Sequence, residues 1–317
     1  MLLSRVAENL YWAGRYLERA EDTARIVREH TNLIVDLPTR APVTWEPLLA
    51  IIGDRGDFDA RFPTADELSI LRYLVSDTEH ASSLVQSMEL AREDLRTTRE
   101  VLPREAWAAV NDLFLFVVAN HTDGVARRSR SRFLERVIAE CQHVTGILGE
   151  TMRRDEAWEF WRLGMQVERA DMTTRVLDVL AGSLLGTADE TGPFADVRWM
   201  SMLRSLSALQ MFYRAGQEPV SGPATLRFLL NDDRFPRSLA FCLAEIEGSV
   251  RRLPSPDDVL PSCAAARVHL AAVDVEALDA VRLHELADEL QVAIGGVHDR
   301  IADTYFLPVP VHAEASA

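Results

Sequence analysis

One segment occurs twice in this chain, and it restricts the fold more than any other feature. Tyr11-Trp12-Ala13-Gly14-Arg15-Tyr16-Leu17-Glu18-Arg19-Ala20-Glu21-Asp22-Thr23-Ala24-Arg25 returns as Trp161-Arg162-Leu163-Gly164-Met165-Gln166-Val167-Glu168-Arg169-Ala170-Asp171-Met172-Thr173-Thr174-Arg175. Gly, Glu-Arg-Ala, Thr and Arg keep the same offset. Tyr is exchanged for Trp, Leu for Val and Glu21 for Asp171. Neither copy contains proline and good helix formers dominate, so both predict helix. A repeat of this length far exceeds a solenoid period and reads as one internal duplication.

Two stripes run along the first copy. Leu10, Ala13, Leu17, Ala20, Ala24 and Val27 form an apolar face at helical spacing. Beside it lie Tyr11, Gly14, Glu18, Glu21 and Arg25, answered in the second copy by Trp161, Gly164, Glu168, Asp171 and Arg175. Glycine within a helix costs about 1 kcal/mol against alanine. Its presence in both copies predicts a close approach of another backbone or a ligand. The charged stripe supports two readings. One is a ladder of intrahelical ion pairs running Glu18, Asp22, Arg25, worth a few tenths of a kcal/mol per pair. The other is a functional cleft, since strongly perturbed carboxylates gather at working sites.

Other segments extend the repeat. Val43-Thr44-Trp45 pairs with Val197-Arg198-Trp199, Leu71 through Asp77 with Leu226 through Asp232, and Ser83-Leu84 with Ser238-Leu239. Leu134, Glu140, Gln142 and Gly146 pair with Leu283, Glu289, Gln291 and Gly295. Helical patterning dominates and no period-two strand series is present. The chain therefore predicts an all-α protein of two similar helical halves, 1–150 and 151–317, related by a pseudo-twofold axis. The first helix is expected over Ser4–Val35 and a short one at Trp45 with Pro47 in its first turn. Gly53–Phe58 reads as loop, and Thr64-Ala65-Asp66-Glu67 has capping-box form. Further helices are expected over Ala81–Val101, Pro103–Asn120 and Arg130–Met152. The tail from Pro308 reads as frayed.

Composition narrows the function. A net charge of -15 argues against nucleic acid, whose phosphates need a basic face. Cys141, Cys242 and Cys263 show no metal-type spacing and fit a reducing cytoplasm. The first residues carry charge before any apolar run, unlike a signal peptide. No stretch of about 18 apolar residues predicts a membrane span.

Met1 through Glu21, with its Glu18-Arg19-Ala20 core, resembles the N-terminal signature of the bacterial alpha-E family, named for its helices and a Glu-Arg motif. Glu168-Arg169-Ala170-Asp171 and Ala91-Arg92-Glu93 resemble it too, and the likeness extends over essentially the whole chain. Asp94 and Leu95 stand where the family tends to have Asn and Ala. Genes of this family typically neighbour a circularly permuted ATP-grasp ligase and a transglutaminase-like cysteine protease. The resemblance thus implies a part in making or modifying a peptide, with an ATP-grasp ligase as partner.

Two functions follow as expectations. The first is a partner or co-catalytic subunit of such an amide-forming system, since the chain shows no nucleotide fingerprint or nucleophile elbow. The second is an enzyme acting on a peptide or aminoacyl substrate in a cleft between the halves. Glu18, Arg19, Glu168 and Arg169 are its catalytic candidates, and Arg15, Glu21, Arg25, Asp171, Arg175 and Arg92 its substrate-binding candidates. No cofactor or metal is expected. Glu140-Cys141-Gln142-His143 has di-iron spacing, but its counterpart Glu289–Val292 lacks histidine. Glu18, Glu21, Glu168 and Asp171 have the chemistry for Mg²⁺ or Mn²⁺, yet arginine neighbours compete for them. Arg127–Arg132 reads either as a solvated helix start or as a site for phosphate or an acidic partner, and Arg227–Arg237, with its arginines at 234–237, either as another docking loop or as a lead-in to a helix capped by Ser238. Gly295-Gly296 suggests tight packing.

Overall fold

The computed structural model describes residues 2–38, 43–185, 192, 194–216 and 219–306. Every regular element among them is helical. The two repeated segments lie in long helices, α1 (Ser4–Asp36) and α8 (Glu156–Val176), and these two cross at the centre. Among the described residues, seven α-helices precede Met152: α1, α2 (Glu46–Ile52), α3 (Arg55–Arg61), α4 (Glu67–Leu71), α5 (Leu84–Thr97), α6 (Arg104–Val125) and α7 (Arg130–Thr151). Seven follow: α8, α9 (Ala195–Ser205), α10 (Leu209–Ala215), α11 (Gly222–Asn231), α12 (Leu239–Val250), α13 (Leu260–Ala271) and α14 (Ala280–Tyr305). Helices α5 and α7 pack on α1, while α12 and α14 pack on α8.

The crossing depends on the two repeated glycines. A Cβ on Gly14 would collide with the Trp161 carbonyl oxygen and lie 3.0 Å from the Met165 amide nitrogen. A Cβ on Gly164 would collide with the Tyr11 carbonyl oxygen and lie 2.7 Å from its carbonyl carbon. Both obstacles are backbone, which cannot swing aside as a side chain can. The apolar stripe fills the space around them: Leu10, Ala13, Leu17, Ala20, Ala24 and Val27 are all buried. The expected close approach of a second backbone is therefore found, and each glycine's partner is the other copy of the segment.

Several local expectations are corrected. The Gly53–Phe58 loop is largely α3, because Asp54 accepts from Asp57 N at 3.0 Å and nucleates a helix there. The capping box begins at Asp66 rather than Thr64, with Asp66 and Ser69 exchanging bonds. The helix expected over Ala81–Val101 starts only at Leu84, capped by Ser83, and ends at Thr97 before a 3-10 turn. Pro103 stands just outside α6, which runs on to Val125. Gly295 and Gly296 mark no tight packing, since a Cβ at either meets nothing within 4 Å. The tail from Pro308 lies outside the described residues.

Candidate functional site

The charged stripes of α1 and α8 meet at the crossing, and each motif glutamate is served by the other copy's arginine. Arg19 presents a fork to Glu168, Nε to Oε1 at 2.5 Å and Nη2 to Oε2 at 3.0 Å. Arg169 presents the same fork to Glu18, Nε to Oε1 and Nη2 to Oε2, both at 2.8 Å. Each carboxylate then takes one further arginine: Arg15 Nε on Glu168 Oε2 at 2.7 Å, and Arg237 Nη1 on Glu18 Oε1 at 2.8 Å. Planar forks of this kind are the strong form of the ion pair. Glu18 is 3% exposed and Glu168 is 1% exposed. Burial alone would raise both carboxyl pKa values, but Arg169 with Arg237, and Arg19 with Arg15, outweigh it and hold each at about 2.

The ladder within α1 is corrected by this arrangement. Arg25 serves Glu21 rather than Glu18, and also contacts the Ser207 hydroxyl. Asp22 turns to Arg237, Oδ1 to Nη1 at 2.6 Å, and its other oxygen is buried without a partner. Arg237 Nη2 also reaches Glu21 Oε1 at 3.4 Å, and Gln142 Nε2 donates to that oxygen at 3.1 Å. Burial pushes the Asp22 carboxyl up to about 7 against the pull of Arg237, with Glu18 adding to the rise. This end of the crossing is closed. Arg237 is 7% exposed, so it plugs the site and is no docking residue. Ser207 holds a left-handed backbone, φ 53°, to bring its hydroxyl to Arg25.

The Glu168 end is different. Asp171 Oδ2 accepts Arg175 Nε at 3.0 Å, the match of Glu21 with Arg25. A cavity of about 100 Å³ opens beside this pair, lined among others by Arg19, Gly53, His80, Ser82, Asp171 and Arg175. Ser82 and Arg237 each directly precede a helix-capping serine. Ser83 accepts from Gln86 N and Ser238 from Phe241 N, and each hydroxyl also meets the carbonyl of Asp77 or Asp232. Where the closed end has the Arg237 side chain, the open end has only the Ser82 hydroxyl. His80 stacks on Tyr73, ring centroids 4.0 Å apart, and its Nε2 is buried without a partner. Tyr73 is itself anchored to Asp57 Oδ2 at 2.9 Å. Burial lowers the His80 pKa against the opposing pull of Asp57 and Asp77.

Of the ten sequence candidates, the crossing gathers nine. Arg92 is the exception: it donates to Asn111 Oδ1 at 3.0 Å and lies over Phe114 and Trp107 on α6. Sequence reasoning missed His80, Ser82, Ser207 and Gln142, and it gave Arg237 the wrong role. The pairing of Ser83 with Ser238 was the available signal, because it sets Ser82 against Arg237. The basic run at 127–132 is not a freely solvated start. Arg127 and Arg130 both hold Glu67, and Arg130 lies buried over Trp45. The motif carboxylates are committed to guanidinium groups and offer a metal little. His143 is exposed and stands 3.6 Å from Glu140. Asp178, His284 and Asp288 place ligand atoms within 4.8 Å of one another at the surface.

A helical domain whose centre is a reciprocal Glu-Arg pair defines the class of protein. The chain belongs to the alpha-E family, described as a predicted alpha-helical domain with a conserved ER motif, over residues 2–306. It is 26% identical, over 94% of its length, to an uncharacterised protein of Mycobacterium bovis and to one of Mycobacterium tuberculosis. It spans 36% of the length of those relatives. No solved structure matches it. Among the described residues, no helix is long and apolar enough to cross a membrane.

Proposed function

We propose that this chain is a non-catalytic or co-catalytic component of an amide-forming ATP-grasp system that makes or modifies a peptide in the cytoplasm. One observation carries the choice over a self-sufficient enzyme. Glu168 accepts three N–H bonds from Arg15 and Arg19, Glu18 accepts two from Arg169 and pairs with Arg237, and both are held as carboxylates at about 2. A general base needs a pKa near the working pH, so neither is suited to proton transfer. The ER motif in this reading is architecture, joining the two helices that carry the rest. The ligase as partner is supported by the family resemblance.

The same reading includes descent by duplication, with halves related by a pseudo-twofold axis. It is supported by seven helices in each half, the reciprocal forks and the matched serine caps. The test is co-purification with a circularly permuted ATP-grasp ligase from the same organism, followed by mass spectrometry of the product. Glu18→Gln is expected to lower stability while leaving product per folded molecule unchanged. Loss of product at unchanged stability would replace this reading with the enzyme.

A further inference from the structure

The two ends of the crossing differ in their balance of acids and arginines. At the closed end the fixed groups are Glu18, Glu21 and Asp22 against Arg169 and Arg25, and Arg237 completes the balance. At the open end the matching positions are Glu168, Asp171 and Met172 against Arg19 and Arg175, with Arg15 where the other copy has Met165. One acidic position is lost and one arginine gained, so the open end holds three arginines against two carboxylates. Asp54 at the rim is exposed and uses an oxygen to cap α3. Unused donors line the cavity. Arg19 spends Nε and Nη2 on Glu168, and Arg175 spends only Nε on Asp171. Nη1 of Arg19 and both terminal nitrogens of Arg175 remain, together with the Ser82 hydroxyl and the unpartnered, nine-tenths-buried ring of His80.

We infer that the open end binds an oxyanion, the C-terminal carboxylate of a peptide, in the place that Arg237 occupies at the closed end. The two arginines of the cavity wall, Arg19 and Arg175, each already hold one carboxylate, and Asp54 adds another at the exposed rim, so the donors left over suit no more than a single negative charge. A phosphate carries about -1.5 to -2 at neutral pH and overshoots it. Guanidinium forks suit the planar carboxylate, and His80 and Ser82 each add one hydrogen bond. That the carboxylate is a peptide's rests on the function proposed above. Ligand titration needs no ligase, so either idea can fail while the other holds.

The probes are acetyl-trialanine as the free acid, the same peptide as its carboxamide, and inorganic phosphate. Thermal shift and calorimetric titration are read on the full chain. The free acid is expected to raise Tm and the amide to leave it unchanged. Arg175→Ala should weaken binding about tenfold, the weight of one charge-assisted hydrogen bond. Ser82→Glu supplies the anion internally, so it should raise Tm and remove the response to the acid, whereas Ser82→Arg should lower Tm. Equal responses to acid and amide, a stronger response to phosphate, or a lower Tm for Ser82→Glu than for Ser82→Arg would each overturn the assignment.

Discussion

Around Glu18, three carboxylates crowd one buried arginine from a distant loop, while around Glu168 three arginines serve two carboxylates beside a cavity. The shared part, one fork and one glycine from each helix, holds the helices together. The unshared part, Arg237 against Ser82 and Asp22 against Met172, decides whether an end is filled or open. A motif that occurs twice can thus keep its structural part at both ends while only one end is plugged.

The largest effect should come from breaking a fork at the closed end. Glu18→Gln leaves Arg169 with a neutral partner and takes one of three carboxylates from the buried Arg237, and about 3 to 5 kcal/mol of stability should go. Glu168→Gln should cost less, about 2 to 3 kcal/mol, because both of its arginines keep some contact with water (11% and 15% exposed), whereas Arg237, one of the two on Glu18, is 8% exposed. Urea denaturation of both variants checks the order, and an equal loss would erase the distinction between the ends.

Next comes the shared part. Gly164→Ala should cost about 3 kcal/mol, because the added methyl meets the Tyr11 backbone and α1 must move away. Gly14→Ala should behave alike. A variant as stable as the parent would show that the helices are not held so close.

Acid titration separates the ends more finely. Glu18 and Glu168 have depressed folded values, so their contribution is present above the ordinary 4.5 and is lost as pH falls toward about 2. Asp22 has a raised value, so its contribution is complete below its ordinary 3.8 and is lost as pH rises through about 7. Asp22→Asn should flatten stability between pH 4 and 7 while leaving the acid limb below 4.5 intact. Denaturation midpoints across this range decide it, and an unchanged slope between 4 and 7 would refute the buried proton.

The smallest effect is expected at the surface. Arg127→Ala removes an exposed partner of Glu67 that the buried Arg130 also holds, so stability should be unchanged within error. If the proposed ligase partnership holds, charge reversal at Arg127 together with Arg234 should slow that association and weaken its salt dependence. Unchanged association rates would reject those arginines as a docking surface.

The helical class and the crossing of α1 with α8 were legible because periodicity and a repeated glycine are local signals. The identity of each glutamate's partner was less so. Arg25 and Arg169 were equally available to Glu18 on paper, and only the approach angle of the helices gave the place to Arg169. Arg237 looked like a surface arginine because it sits in a loop rich in charge. Its burial depends on Asp22 and Glu21, more than two hundred positions earlier, and no local pattern records that. The Asp54 cap that turned an expected loop into α3 was present in the sequence, though two glycines nearby argued the other way.

The reciprocal forks also govern the order in which the chain can become structured. As α1 emerges from the ribosome, Glu18, Arg15 and Arg19 have no counterpart, and the groove above Gly14 stays empty until α8 is made. Loop closure over so long a separation is slow, and neither crossing helix gains its full set of contacts before the other arrives. Folding of the centre is therefore tied to late synthesis. Fragments cut between α7 and α8 should be poorly ordered apart and regain helical structure on mixing.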